Sequence, residues 1–458
     1  MGKQNTTEIT ENTPLLQLAG PMFFEMFLNI LLQNVDTLML SHYSENAVGA
    51  VGNANQVMSL LILMFGIIAT ATAVVVAQYL GAKQYEKMNM IYTMVIVVNL
   101  VFGMILSGIL LLVKQPCMSL IGVSKEMMPD TLNYINLVGG FLFLQAVYNV
   151  MIQILRCNGH TKVGMVVSFL MNISNIAGNY LFLYGPLKYL ELGVRGVAIS
   201  TVISRVMAFV IVMVAFYKFK IGRLQLKLLH PFPWSMLGKM IRIGLPSAGE
   251  SMSYNLYQIV LLSFVNSLGN DAVNARVYCN SLIAFAFVFS NSVALSTQII
   301  TGHLVGAENE DGAYRRVWAS LKIAMPITIG LAGINWLLSP YTLRFFTSNE
   351  HIIEIAFWVM LVDIVLEIGR CMNMAFVSSL KASGDYLYPL LVGLCTMWLI
   401  GVSVGYTAGI VLGFGVAGIF MGTAADECIR GLIVMRRWKS GKWRGKSVVD
   451  RNESPIKG

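Results

Sequence analysis

The chain has 458 residues, 56% of them hydrophobic and 12% charged, with a mean hydropathy of +0.68. So much apolar surface with so few charges excludes the ordinary soluble and disordered classes. The formal net charge of +9 gathers around residues 218–242 and after Arg430 rather than along a basic face, so nucleic acid is not an expected partner.

A spanning helix needs ~20 residues, so this length accommodates about a dozen spans and little else. Apolar runs broken by Gly, Pro and charged clusters place twelve, at 13–40, 47–80, 88–113, 130–156, 162–184, 194–218, 238–266, 272–305, 316–339, 350–380, 386–412 and 415–436. The polar start MGKQNTTEITEN has no basic start, apolar run or cleavage site of a secretory signal, so the first span is expected to remain in the protein. With both termini in the cytoplasm, 24 Lys and Arg fall on that side and five on the other, the bias expected of a multi-pass protein of the cytoplasmic membrane.

On the first span Glu25, Asn29, Gln33 and Asp36 form one stripe, because eleven residues make close to three turns. The stripe is expected to face a cavity, since a carboxylate facing lipid costs roughly 2.5–3.5 kcal/mol. The basic run Lys218, Lys220, Arg223 and Lys227, followed by Pro231 and Pro233, divides the spans six and six. It defines an N-terminal bundle (1–217), a cytoplasmic linker (218–237) read as a solvated loop, a C-terminal bundle (238–437) and a basic tail (438–458).

The second half repeats the first. A shift of 225 positions lays Pro246 on Pro21, Glu250 on Glu25, Ala272-Val273 on Ala47-Val48, Asn280 on Asn55, Gly306-Ala307 on Gly81-Ala82, Lys381 on Arg156 and Gly384 on Gly159. Each copy has an even number of spans, so both run in the same direction. The expected architecture is an all-α membrane protein of twelve helices in two six-helix bundles, related by a pseudo-two-fold axis along the membrane normal around a cavity.

The copy of the first stripe reads Glu250, Tyr254, Gln258 and Leu261, so Asp36 is an acid of the first half alone. A carboxylate held away from water is a candidate proton carrier; the alternative places Asp36 near the outer mouth as a simple hydrogen-bonding or capping group. On the tenth span Asp363, Glu367 and Arg370 share a face, either as an ion-pair network or as a substrate site. Asp426, Glu427 and Arg430 fit a structural pairing.

The six cysteines and five histidines show no disulfide frame or metal-ligand spacing. Gly413-Phe-Gly415-Val-Ala-Gly418 has dinucleotide-binding spacing but lies between hydrophobic helices, and GKWRGKS is one residue short of a phosphate-binding loop. Gly401, Gly405, Gly409 and Gly413 suit close helix packing. No cofactor is expected, and no catalytic constellation appears.

LAGPMFFE with VDTLMLSHYSENAVGAVG, IGLPSAGE with SLGNDAVNA, QYLGA with HLVGA, and LRCNGHTK with LKASGDYLYP together resemble the multidrug and toxic compound extrusion (MATE) family, from about Leu15 to Arg437. The resemblance implies export of amphipathic, often cationic organic compounds in exchange for H⁺ or Na⁺. In one bacterial branch an Asp of the first span meets polar groups of the fifth and sixth, and the matching positions here are Asp36, Asn175, Asn179 and Thr201, an oxygen set suited to Na⁺. Where that branch places a second acid, this chain has Asn175-Ile-Ala-Gly-Asn179, which favours H⁺; the plainer reading of the two amides is interhelical hydrogen bonding. Another branch keeps functional acids on spans seven and ten, resembling Glu250 with Asp363 and Glu367.

Substrate contacts are expected from Tyr254, Tyr257 and neighbouring Phe and Met side chains. Expected partners are small organic cations and membrane lipid, with the chain acting as a monomer. Two rivals remain. One is a flippase for lipid-linked precursors, which needs a strongly basic cavity; the other is an intramembrane enzyme, for which no residues present themselves.

Overall fold

The computed structural model describes residues 9–449, so the first eight residues of the polar start and residues 450–458 of the basic tail lie outside it. Every regular element among the described residues is helical. The first half holds α1 (Leu15–Tyr43), α2 (Glu45–Gly81), α3 (Tyr85–Ile121), α4 (Met128–Tyr134), α5 (Leu142–Cys157), α6 (Thr161–Leu183) and α7 (Val194–Lys218). The second holds α8 (Trp234–Asn266), α9 (Asn270–Gly306), α10 (Glu310–Thr342), α11 (Glu350–Ser383), α12 (Leu387–Cys395), α13 (Val402–Tyr406) and α14 (Gly415–Lys439).

Each hydropathy stretch lies on a helix, with two irregularities. α4 runs on through π-helical turns at Ile135–Gly139, and this segment meets α5 at a 45° bend between Gly139 and Leu142. α12 and α13 are joined and extended by π-helical turns at Thr396–Gly401 and Thr407–Val411. Gly405 and Gly409 lie there against α14, near Gly422 and Ile419, so the glycine stripe serves close packing. Among the described residues, eight helices are long and apolar enough to cross a membrane, or nine counting the bent pair. Among those outside that set are α11, with Asp363, Glu367 and Arg370, and α14, with Asp426, Glu427 and Arg430. Their buried charges lower the hydropathy that the test reads.

In the first half α1 packs on α6, α6 on α7, and α2 and α3 on α5. In the second, α11 is central, touching α9, α10 and α14. The halves meet where α2 lies against α8 and α9, and where α1 lies against α9. The tightest approach is reciprocal: a Cβ on Gly81 would overlap the His303 carbonyl, and one on Gly306 would overlap the Gln78 carbonyl. Gly81 and Gly306 are 225 positions apart, as are Gln78 and His303, so a two-fold relation is built into this contact, and only glycine allows it. Around it, one apolar core spans both halves, including Val74, Val75, Val76, Tyr79, Ile300 and Phe376.

The basic linker residues Lys218, Lys220, Arg223 and Lys227 are exposed, while the linker backbone is tied to α3. The Arg223 amide donates to Asn89 Oδ1 at 2.9 Å and the Gln225 amide to Thr93 Oγ1 at 3.1 Å, with Ile221 and Leu229 buried. The tail folds back on itself, its Trp438 and Trp443 rings stacked at 4.0 Å and buried. Lys446 then pairs with Asp385 at 2.6 Å, while Ser447 Oγ and the Val448 amide donate to Gln78 Oε1 at 2.9 and 2.8 Å. Apolar Trp and Val side chains draw this segment in despite its charge. All six cysteines are free.

Candidate functional site

Asp36 lies in the last third of α1, half-buried. Asn179 Nδ2 on α6 donates to its Oδ1 at 3.1 Å. One turn earlier, the Asn175 amide, oriented to satisfy its neighbours, donates to both Asp36 oxygens at 3.1 and 2.8 Å and accepts from Thr201 Oγ1 at 3.1 Å. Four residues from three helices, α1, α6 and α7, thus form one connected cluster. Close approach of α6 to α7 depends on Gly178, where a Cβ would run into Ser200. Tyr134 adds a phenol against Thr201 and Asn55, a neighbour that sequence spacing gave no means to find. The cluster has one carboxylate, and its amides turn N–H groups toward that carboxylate.

Elsewhere on the first stripe, Glu25 and Asn29 find partners within the first half. Glu25 is buried and paired with Arg156 at 2.8 Å, and Gly164 of α6 gives it room, since a Cβ there would stand 2.6 Å from Oε2. Asn29 Oδ1 accepts from Ser168 Oγ at 2.6 Å and Asn172 Nδ2 at 2.7 Å. Gln33 is exposed. Glu25 Oε1, Asn29 and Asp36 thus meet side chains of α5 and α6 in the first half, while the buried Glu25 Oε2 accepts no hydrogen bond. Periodicity identified a shared face and left its neighbour open.

In the second half Glu250 repeats the role of Glu25, paired with Lys381 at 2.7 Å and with Arg430 Nη1 at 3.9 Å. Glu367 pairs with Arg370, and Asp426 with Arg430. Glu427 accepts from Asn373 at 2.7 Å. Asp363 is fully buried with neither oxygen hydrogen-bonded. These acids form an internal network around α11 and α14, held by the arginines and Lys381.

A cavity of about 350 Å³ opens beside this network, with Tyr254, Gln258, Arg276, Asn280, Phe287 and Arg370 in its wall. No carboxylate lines it. Asp363, Glu367 and Glu250, expected as cavity acids, are absent from its wall, and Tyr257 is fully buried with its hydroxyl 3.5 Å from Thr423 Oγ1. Tyr254, Gln258 and Arg370 do line it. Arg276 and Asn280 were missed as site residues; the signal available was an arginine inside an apolar span, which needs a partner or a cavity. Among the described residues no group of three or more His, Cys, Asp and Glu gathers to hold a metal ion.

At the terminus-bearing end, Glu11 receives Arg315 at 2.8 and 2.9 Å and its carbonyl receives Arg316 Nη1 at 3.1 Å. The Arg315 guanidinium holds the Glu11 carboxyl below the usual carboxylate range. This strap carries the start of the first half onto α10 of the second.

The MatE family model matches twice, over residues 21–181 and 246–407, copies whose starts are 225 positions apart. The uncharacterized transporter YisQ of Bacillus subtilis is 36% identical over 435 residues, covering 95% of this chain and 96% of its own length. The probable multidrug resistance protein NorM of Thermotoga maritima is 27% identical over 98% of this chain and 96% of its own. Among solved structures, the Vibrio cholerae MATE transporter VcmN in its bent form superposes with a TM-score of 0.86 at 18% identity, covering 94% of this chain and 98% of that one. At that identity the likeness speaks for the fold.

Proposed function

The chain belongs to the MatE family of multi-pass membrane transporters, and from that premise we propose that it exports amphipathic organic compounds by alternating access, in exchange for H⁺ or Na⁺. Twelve helices in two six-helix bundles, 1–217 and 238–437 with residues 218–237 between them, form the proposed architecture. The doubled family match and the reciprocal Gly81–His303 and Gly306–Gln78 contacts support it. Both described ends lie by that contact, so the conformation is closed on the side of the termini. The excess of Lys and Arg there makes that side cytoplasmic in our reading, and the membrane the cell's inner one.

The observation that carries the coupling proposal is Asp36, half-buried among Asn175, Asn179 and Thr201 and replaced at the repeat position by buried Leu261. Taking up a cation there would change how α1 sits on α6 and α7 and so bias one half's shape, while substrate binds the other arrangement. H⁺ is favoured over Na⁺ because the cluster offers a single carboxylate, one negative charge fewer than a tight Na⁺ site would use. The family resemblance implied a preference for cationic substrates; with no carboxylate in the cavity wall, the proposal extends to amphipathic organic compounds of any charge.

The test is efflux of a panel of fluorescent dyes from proteoliposomes with H⁺ and Na⁺ gradients imposed separately. Efflux driven by the H⁺ gradient alone is expected; efflux indifferent to both gradients would refute the antiport reading.

A further inference from the structure

The charges in the wall of the second half's cavity are all of one sign. Arg276, on α9, donates through Nη2 to Gln258 Oε1 at 3.0 Å, while its buried Nη1 has no hydrogen-bond partner. Besides that amide, only the tyrosines 254 and 257 act on it electrostatically; no carboxylate among the described residues pairs with it. Arg370, on α11, is tied to Glu367 and lies 5.5 Å from the Phe287 ring centre. Asp363, Glu367 and Glu427 act on Arg370, and none of the three lines the cavity. A guanidinium withdrawn from water and matched only by a neutral amide is costly unless a counter-ion joins it.

We propose that this cavity is a binding subsite for the carboxylate of an aromatic organic acid, a deepening of substrate class that rests on the export reading above. The fork of a guanidinium suits a carboxylate in two-point contact. Arg276 and Arg370 face one cavity, and Tyr254 lies within electrostatic reach of both, so its hydroxyl and the Asn280 amide complete the polar end. Phe287, Leu366 and Phe420 supply an apolar wall for the ring system. The volume of about 350 Å³ falls in the ~300–1,000 Å³ range of small-molecule pockets. The subsite belongs to one half: the position 225 before Arg276 is Val51, and that before Arg370 is Gln145.

Fluorescein and rhodamine 123 share a xanthene frame and carry opposite charge, so their fluorescence polarisation with the purified full chain separates anion recognition from general apolar binding. Wild type is expected to bind fluorescein more tightly than rhodamine 123. Arg276→Gln should weaken fluorescein by about tenfold or more and leave rhodamine 123 unchanged, with Arg276→Lys in between. Should Arg276→Gln fail to fold, Ala284→Phe, which fills the same cavity without touching a charge, should abolish fluorescein binding. Equal or tighter binding of rhodamine 123, or fluorescein binding untouched by the substitutions, overturns the subsite. Charge-selective binding without gradient-driven efflux would refute the export reading and leave the subsite standing.

Discussion

Glu25–Arg156 in the first half and Glu250–Lys381 in the second are the same ion pair made twice, 2.8 and 2.7 Å long at positions 225 apart. One helix turn or more along the same two stripes, the copies part: Asp36 corresponds to Leu261 and Asn29 to Tyr254, and on the next helix of each half Val51 corresponds to Arg276. Duplication has therefore kept the pairs that tie α1 to α5 and α8 to α11, where removing one partner would strand a buried charge. Divergence is concentrated where side chains meet a cavity or a titratable group. In our reading the first half became the ion-sensing side and the second the ligand-holding side.

The largest expected effect tests that division directly. Asp36→Asn should abolish dependence of efflux on the imposed gradient, a coupling worth about 1–3 kcal/mol or roughly 5–150-fold in typical linked systems. Leu261→Asp in the same background should not restore it, because Leu261 is buried without the amides of Asn175 and Asn179. Rescue by that second change would erase the asymmetry, and proteoliposome transport of both variants reads it out.

Next come the shared pairs, whose symmetry is incomplete. Arg156→Met strips the buried Glu25 of the guanidinium that pairs with it and should cost about 3–5 kcal/mol. Lys381→Met should cost less, because Arg430 stands 3.9 Å from Glu250 and can take over. Thermal unfolding of the two variants in one detergent gives the order; equal losses would mean that Arg430 does nothing for Glu250.

The halves should behave alike at their closed end. Gly81→Val and Gly306→Val each drive a side chain into a backbone carbonyl of the other half and should part the helices by similar amounts. Cys157, buried with its carbonyl bound to His303 at 2.8 Å, is a native reporter. Its labelling by a maleimide, located by mass spectrometry, should rise in both variants, and a rise in only one would show that the contact is not two-fold in its energetics.

Much of this was legible in the sequence because lipid makes hydropathy a direct readout of span position, and because polar residues repeated at one offset betray duplication. Asp36, Asn175, Asn179 and Thr201 come together as the family resemblance implied. The partner of the Glu25 stripe was not legible: helical spacing tells which residues share a face, and Gly164 and Ser168, which receive that face, lie some 140 positions away in sequence. Arg156 and Lys381 were visible as a repeat and invisible as counter-ions for the same reason. The folding back of the tail was not legible, since Lys446 and Arg444 meet Asp385 and Asp311, acids 61 and 133 positions away in sequence.

The smallest expected effect concerns the two terminal straps, one from each half. Glu11 reaches from the first half to Arg315 and Arg316, while Ser447 and Val448 reach from the second half to Gln78. Only the first contains a carboxyl shifted by its partner: Glu11 is held below its usual range. Its contribution is therefore complete above the unfolded value of about 4.3 and is lost as pH falls through the lower folded value. Arg315 is largely in water, so screening keeps the effect small and makes it shrink with added salt. Near neutral pH, Glu11→Gln should unfold at a slightly lower temperature than wild type, and the difference should vanish in acid and in concentrated salt. The Gln78 strap has no titratable partner at Gln78 itself, so Gln78→Ala should lower the unfolding temperature by an amount that acid changes much less. If acid removed both differences equally, the strap at Gln78 would depend on the Lys446–Asp385 pair beside it, and the contrast between the two ends would be one of position rather than chemistry.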